Sequence, residues 1–105
     1  MEACVLIACA TGNRDEAAMI ARTLVEERLA ACVQLFPIHS IYRWQGAVHS
    51  GDEWMLNIKT RAAAAPAVNE RIKAIHSYDL PEVTVTPIID GSAAYLEWVA
   101  ASVKG

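Results

Sequence analysis

Cys4–Ala10 reads CVLIACA, an unbroken apolar run of strand length. A strand covered on both faces needs such a run, so the segment is expected at the centre of a sheet. Thr11-Gly12-Asn13 follows as a turn, with Asn13 or Thr11 placed to cap a helix. Asp15 and Glu16 then suit a first helical turn. Ala17, Ile20, Ala21, Leu24 and Val25 recur at helical spacing, which predicts a helix over 13–30. Residues 33–48 read as extended with a break at Pro37, and from Ile38 onward they alternate. Ile41, Arg43 and Gln45 fall on one face, and Tyr42 and Trp44 on the other. Ser50-Gly51-Asp52 is the expected hairpin turn, and the return strand 53–59 places Trp54, Leu56 and Ile58 together. A second helix is expected over 62–76, with Pro66 in its first turn and Val68, Ile72 and Ile75 as its apolar stripe. VTVTPII (83–89) is a β-branched strand in which Pro87 points to an edge or bulge. After Asp90-Gly91-Ser92, a last helix carries Leu96, Val99, Ala100 and Val103.

The predicted order is β-α-β-β-α-β-α within a single domain spanning residues 1–105. Two split βαβ halves of this kind describe an α+β, ferredoxin-like βαββαβ sandwich with an extra C-terminal helix and a long β2-β3 hairpin. The 105 residues suffice to bury roughly 65% of the unfolded surface, enough for one core without staples. No stretch approaches the roughly 20 apolar residues of a membrane span, so no membrane partner is expected. The apolar start has no basic flank of the signal-peptide kind. Three cysteines form no CxxC pair, which favours free thiols, a reducing compartment and hence the cytoplasm. A net charge of −3 argues against a nucleic-acid partner, which needs a basic face. An RNA-binding sheet is further disfavoured because the first strand has no aromatic residue.

Of seven aromatic residues, two flank Arg43 in SIYRWQG (40–46). The hairpin strands are longer than a small sheet backed by two helices can cover. Tyr42, Trp44 and Trp54 would then lie on an exposed edge, an aggregation hazard unless another copy pairs with it. Tyr42, Arg43, Trp44 and Trp54 are therefore the candidate oligomer interface, in a closed ring. The plainer alternative packs Tyr42 and Trp44 on the chain's own last helix.

Five segments in order carry a resemblance: RLAACVQ (28–34), SIYRWQG (40–46), IKT (58–60), IHSYDLPE (75–82) and DGSAAYLEWV (90–99). Together they resemble the CutA family of divalent-cation tolerance proteins, over about Val5 to Val103. The resemblance implies a ferredoxin-like fold and a tight homotrimer, similar in architecture to the nitrogen-regulatory PII signal proteins. It also implies a part in tolerance of copper and other divalent metals, with no established enzymatic activity. In such a trimer the SIYRWQG strand lies near a subunit boundary.

His76, Cys32 and Cys9 are the candidate metal ligands, with copper foremost, because imidazole and thiolate suit copper, zinc and nickel. The structural alternatives are a histidine completing a helix C-terminus and small buried cysteines. Cys9 and Cys32 come together only if the fold brings their strands close. Cys4 and Cys9, at an odd offset, face opposite ways on a strand. His39 and His49 read as solvated. The absence of HxH, CxxC and HxxxH spacings leaves any metal site to be assembled across elements or subunits. Trp44, Glu53, Lys59, Tyr78, Glu82, Tyr95 and Trp98 match the family and are the candidate lining of an intersubunit cleft. Lys59 and Glu82 would supply opposite charges there. Interface ion pairing and aromatic packing are the alternative role for the same residues. No organic cofactor is implied. A small-molecule signalling module of the PII type, without physiological metal, is the competing function. An acylphosphatase-like use of Thr11-Gly12-Asn13-Arg14 is weaker, because the glycine-rich loop of those enzymes is absent.

Overall fold

The computed structural model describes residues 2–105. β1 (Cys4–Thr11) leads into α1 (Arg14–Glu26). Asn13 caps this helix as expected, its Oδ1 accepting from the Glu16 N–H at 2.8 Å. The helix ends four residues before the expected position. Arg28 adopts a left-handed φ of 59°, and the Leu29 N–H donates to the Leu24 carbonyl while the Arg28 N–H donates to that of Val25. This is a Schellman closure, with Leu24 and Leu29 meeting in the core.

β2 (Cys32–Trp44) and β3 (Ala47–Arg61) form a hairpin of 13- and 15-residue strands. Ala62–Ala64 is a 3₁₀ turn into α2 (Ala65–Ile75), with Pro66 in its first turn. β4 (Thr84–Ile88) and α3 (Ala93–Ser102) complete the chain. The predicted element order is the observed one.

The strands form one antiparallel sheet in the order β2-β3-β1-β4, so the apolar β1 is central. Pro87 sits on the edge strand β4, opposite Val5. α1 and α2 cover one face, burying Ile7, Cys9, Ile20, Leu24, Leu56, Ile58, Val68 and Ile72. α3 covers part of the other face, where Leu96 and Val99 pack with Cys4. The odd offset of Cys4 and Cys9 thus places them in different cores. The predicted stripe of α1 holds for Ala17, Ile20, Ala21 and Leu24, whereas Val25 is exposed. Between the helices, Arg71 grips Glu27 through two hydrogen bonds of 2.9 and 2.8 Å.

Two expectations about the hairpin are corrected. The turn is Gln45-Gly46, not Ser50-Gly51-Asp52, and Pro37 does not break β2 but pairs with Trp54 inside the ladder. Gln45 and Gly46 both have positive φ, 51° and 80°, as a two-residue type I′ turn requires. Register explains the shift. Val33 lies opposite Ile58 and Leu35 opposite Leu56, so both strands turn these side chains toward α1 and α2. A turn at Gly51 would break that pairing. Gly51 instead lies in β3, opposite Ser40. Because β1 pairs only with residues 54–61 of β3, the rest of the hairpin projects as a two-stranded ribbon.

The two glycines should respond differently. Gly46→Ala is expected to destabilise the fold by about 1 kcal/mol, because an L side chain resists its backbone conformation. Gly51→Ala, with open space around its Cβ position, should be neutral or slightly stabilising. Urea denaturation of both variants tests the assignment, and equal losses would contradict it.

Candidate functional site

Where the ribbon leaves the body of the sheet, an open cavity of about 600 Å³ lies between it and the loop joining α2 to β4. β2 contributes Ser40, Ile41, Tyr42 and Trp44, β3 contributes Glu53, and β1 contributes Ala10. The loop supplies Tyr78, Asp79, Leu80 and Glu82. This size falls within the range of small-ligand sites.

His76 anchors the loop. Its ring is fully buried, and Nε2 lies 2.8 Å from the Ala10 carbonyl. A carbonyl only accepts, so Nε2 carries the proton. Nδ1 then accepts from the Tyr78 N–H at 3.0 Å. Glu16, at the start of α1, accepts from both the N–H and the hydroxyl of Ser77 at 2.8 Å. Tyr78 packs on the His76 ring at 4.8 Å between centroids, and its hydroxyl donates to Glu53 at 2.9 Å. Gly12 permits this approach: a Cβ there would lie 3.3 Å from the Tyr78 hydroxyl oxygen. Burial, reinforced by the hydrogen bond to Glu53 and the charge of that carboxylate, pushes the Tyr78 phenol up to about 12. Tyr78 is therefore a hydrogen-bond donor at any ordinary pH.

The candidate metal residues are not gathered. His76 has both ring nitrogens engaged within the protein. Cys9 lies inside the main core, where burial, with smaller contributions from the charges of Glu82 and Glu16, pushes its thiol up to about 12. Cys32 is half-buried opposite Lys59, with β3 between it and β1. Cys9 lies in the row of Leu56 and Leu35, three residues along from Cys32. Strand spacings put the two about 14 Å apart. Alternation also turns them to opposite faces, since Val33 and Leu35 face the main core. No group of three or more His, Cys, Asp or Glu side chains among the described residues is arranged to hold a metal ion. Within one chain, His76, Cys32 and Cys9 do not fit a shared metal.

The candidate cleft residues divide into two groups. Trp44, Glu53, Tyr78 and Glu82 line the cavity. Lys59 lies six residues from Glu53 along β3, about 20 Å. Its Nζ donates to Gln34 Oε1 at 3.1 Å and to the Tyr95 hydroxyl at 3.4 Å. Tyr95 packs on Trp98 at 5.5 Å between centroids, one face of α3 presenting both as expected. Lys59 and Glu82 thus serve separate surfaces.

Among the candidate interface residues, Tyr42 and Trp44 are 49% and 42% exposed and Arg43 is exposed, all on the ribbon. Trp54 is half-buried against the main core, with the Arg14 guanidinium 5.8 Å from its ring centroid. His39 pairs with Asp52 at 2.9 Å, and His49 stacks on Tyr42. Asp79, Leu80, Ser40 and the Glu16–Ser77 latch are set by the tertiary structure and carry no signal in the sequence pattern. Asp79 and Leu80 lie inside the singled-out segment IHSYDLPE, but only the folded loop shows them facing the ribbon.

These features define the class: a small α+β domain with a projecting ribbon, a latched loop and an aromatic, acidic cavity between them. The family described as CutA1 divalent ion tolerance protein matches residues 5–102. The chain is 47% identical over 100 residues to the divalent-cation tolerance protein CutA of Thermus thermophilus, covering 94% of this chain and 95% of that protein. It is 42% identical over 88 residues to protein CutA of Homo sapiens, covering 83% of this chain and 49% of that protein. It thus spans nearly all of the Thermus relative, and about half the length of the plant and animal relatives in Arabidopsis thaliana, Oryza sativa, Mus musculus and Homo sapiens. Among solved structures, CutA1 from Oryza sativa superposes with a TM-score of 0.95 at 38% identity, covering 98% of this chain and 95% of that one. The periplasmic divalent cation tolerance protein CutA from Archaeoglobus fulgidus superposes with a TM-score of 0.94 at 35% identity, covering 96% and 99%. This chain belongs to the CutA1 divalent ion tolerance protein family.

The Tyr78 phenol should titrate near 12 rather than at its ordinary 10.0. A raised folded value means that its contribution to stability is complete below pH 10 and is lost as pH rises from 10 toward 12. Phenolate absorbance, compared with Tyr78→Phe, should show the late titration. Glu53→Gln should bring it back toward 10, and an unchanged curve would contradict the assigned hydrogen bond. Iodoacetamide at pH 8 should modify Cys32 in the folded protein and leave Cys9 intact, as mass spectrometry of the digested protein can show.

Proposed function

We propose that this protein acts in divalent-cation tolerance as a cytoplasmic homotrimer without catalytic activity, built of ferredoxin-like units and responding to a ligand held between the ribbon and the 76–82 loop. The observation that carries this reading is the cavity itself, with a loop latched in place by His76, Glu16 and Tyr78. Two crossovers in a β2-β3-β1-β4 sheet support the ferredoxin-like description. The exposed edge of β2 and the projecting ribbon support assembly with copies of the same chain, since a lone two-stranded ribbon is marginal in water. Three unpaired thiols support a reducing compartment. Among the described residues, no helix is long and apolar enough to cross a membrane.

On this reading the protein works like a PII-type module: a ligand shifts the loop or ribbon, and the trimer presents the change. Direct copper chelation is the second reading, carried by the half-buried Cys32 thiol and the family's description as a divalent ion tolerance protein. It requires a site shared between copies.

Light scattering should give three times the chain mass of 11.4 kDa; a monomer would overturn the assembly. Melting curves of the reduced protein with Cu(I), Cu(II), Zn(II) and a panel of charged and neutral metabolites test the ligand. A metabolite that raises Tm, with an effect reduced in Tyr78→Phe, supports the cavity. Saturable micromolar copper binding, lost in Cys32→Ala and retained in Tyr78→Phe, would transfer the function to direct metal binding.

A further inference from the structure

The second face of the sheet, only partly covered by α3, is ordered along its length. Val33, Leu35, Leu56 and Ile58 face α1 and α2, so alternation turns Gln34, Phe36, Ile38, Met55, Asn57 and Lys59 to the other side. Register sets these residues in rows. Lys59 lies opposite Leu6, Asn57 lies between Ala8 and Gln34, and Met55 lies between Ala10 and Phe36. Glu53, opposite Ile38, comes last, at the cavity whose wall also holds Asp79 and Glu82. The face thus has a cationic end at Lys59, a neutral and mostly apolar middle, and an acidic end about 20 Å away.

Neither end is neutralised within the chain. Lys59 meets only uncharged partners, Gln34 and the hydroxyl and ring of Tyr95. Among the described residues, Glu53, Asp79 and Glu82 form no salt bridge. Phe36 is 38% exposed, and Leu6, Ile38 and Met55 are half-buried without packing into either core.

We propose that a second copy of the chain covers this face, with the Lys59 end of one copy seated on the acidic end of the next. The inference rests on the homotrimer reading and names the surfaces that meet. A closed three-fold ring joins two different patches at every contact. The two ends of this face are such patches, of opposite sign, and every copy carries both. Seating them together gives Lys59 a carboxylate, gives the carboxylates a cation, and takes the apolar middle out of water. Through Ile38 and Ser40 the face runs on into the ribbon and along the free edge of β2. The cavity is then incomplete in one chain. Lys59 of the partner subunit, held beside Tyr95, closes its open side.

The test joins contacting charges covalently. A carbodiimide condenses an amine with a carboxylate into an amide only where the two touch, and the chain holds three lysines, Lys59, Lys73 and Lys104. Glu53 lies too far along β3 from Lys59 to be linked to it within one chain. The intact protein is treated at a concentration where light scattering gives the trimer. Covalent dimers are then cut from a denaturing gel and digested for mass spectrometry. The expected result is Lys59 joined to Glu53, Asp79 or Glu82. Dimer yield should fall at least tenfold in Lys59→Gln and persist in Lys73→Gln and Lys104→Gln. Phe36→Asp, its folding checked by circular dichroism, should lower the urea midpoint at which the trimer is lost. Trimers without a Lys59 link, or with Lys59 linked only to other carboxylates, would overturn the proposal and leave the trimer standing. An unchanged midpoint in Phe36→Asp would do the same. Trimers whose Phe36 and Met55 are oxidised by hydroxyl radicals as fast as in the unfolded chain would also defeat it, leaving the face to a different partner. A monomer in light scattering would sink the trimer reading and this inference together.

Discussion

The pairing of β2 with β3 is the constraint on which the rest of the molecule depends. These strands run for 13 and 15 residues, yet β1 covers only the inner half of β3. The inner half is the floor of the main core: Leu56 and Ile58 face the helices, and Val33 and Leu35 pack beside them. The outer half has no third strand and projects from the body. One register therefore governs two different environments. It must keep the apolar side chains of the inner half toward α1 and α2, and it then has no freedom left over Tyr42, Trp44 and Glu53 farther out. Core packing in this way sets the geometry of one cavity wall.

The opposite wall is held by polar contacts. The loop after α2 carries Tyr78, Asp79, Leu80 and Glu82, and such a segment would wander if it were tied only at its ends. Three ties prevent this. His76 bridges the Ala10 carbonyl and the Tyr78 amide, Glu16 takes both donors of Ser77, and Tyr78 reaches Glu53. These bonds link the loop to β1, α1 and β3. A buried imidazole with both nitrogens satisfied costs little, whereas the same ring without its acceptor would leave a buried donor unpaired. His76 is thus a fastening between the hydrophobic body and the cavity-lining loop. Aromatic residues in SIYRWQG fit the same arrangement: Tyr42 and Trp44 line the cavity together with the loop.

Much of this was legible in the chain. Apolar continuity marked β1 as central, helical spacing marked the buried stripes of α1 and α2, and parity separated Cys4 from Cys9. Of the seven candidate cleft residues, four line one cavity: Trp44, Glu53, Tyr78 and Glu82. Lys59, Tyr95 and Trp98 do not join them, because six residues of extended strand separate Lys59 from Glu53. His76, Cys32 and Cys9 share only a chemical type, that of soft or borderline metal ligands, and type carries no information on burial or on hydrogen-bond partners already in place.

Periodicity and capping are local properties, so the sequence by itself determined the element order, the buried faces and the start of α1. A turn between two long strands is not local in that sense. Ser-Gly-Asp has the better turn composition, yet Gln45-Gly46 makes the turn because the core alignment of Val33 and Leu35 with Ile58 and Leu56 outweighs it. The insertion of β3 between β1 and β2, which parts the two cysteines, is likewise a matter of strand order. Only the tertiary structure decided that order, and with it which charges share a cavity, because cross-strand neighbours are set by the burial of the whole sheet against its helices.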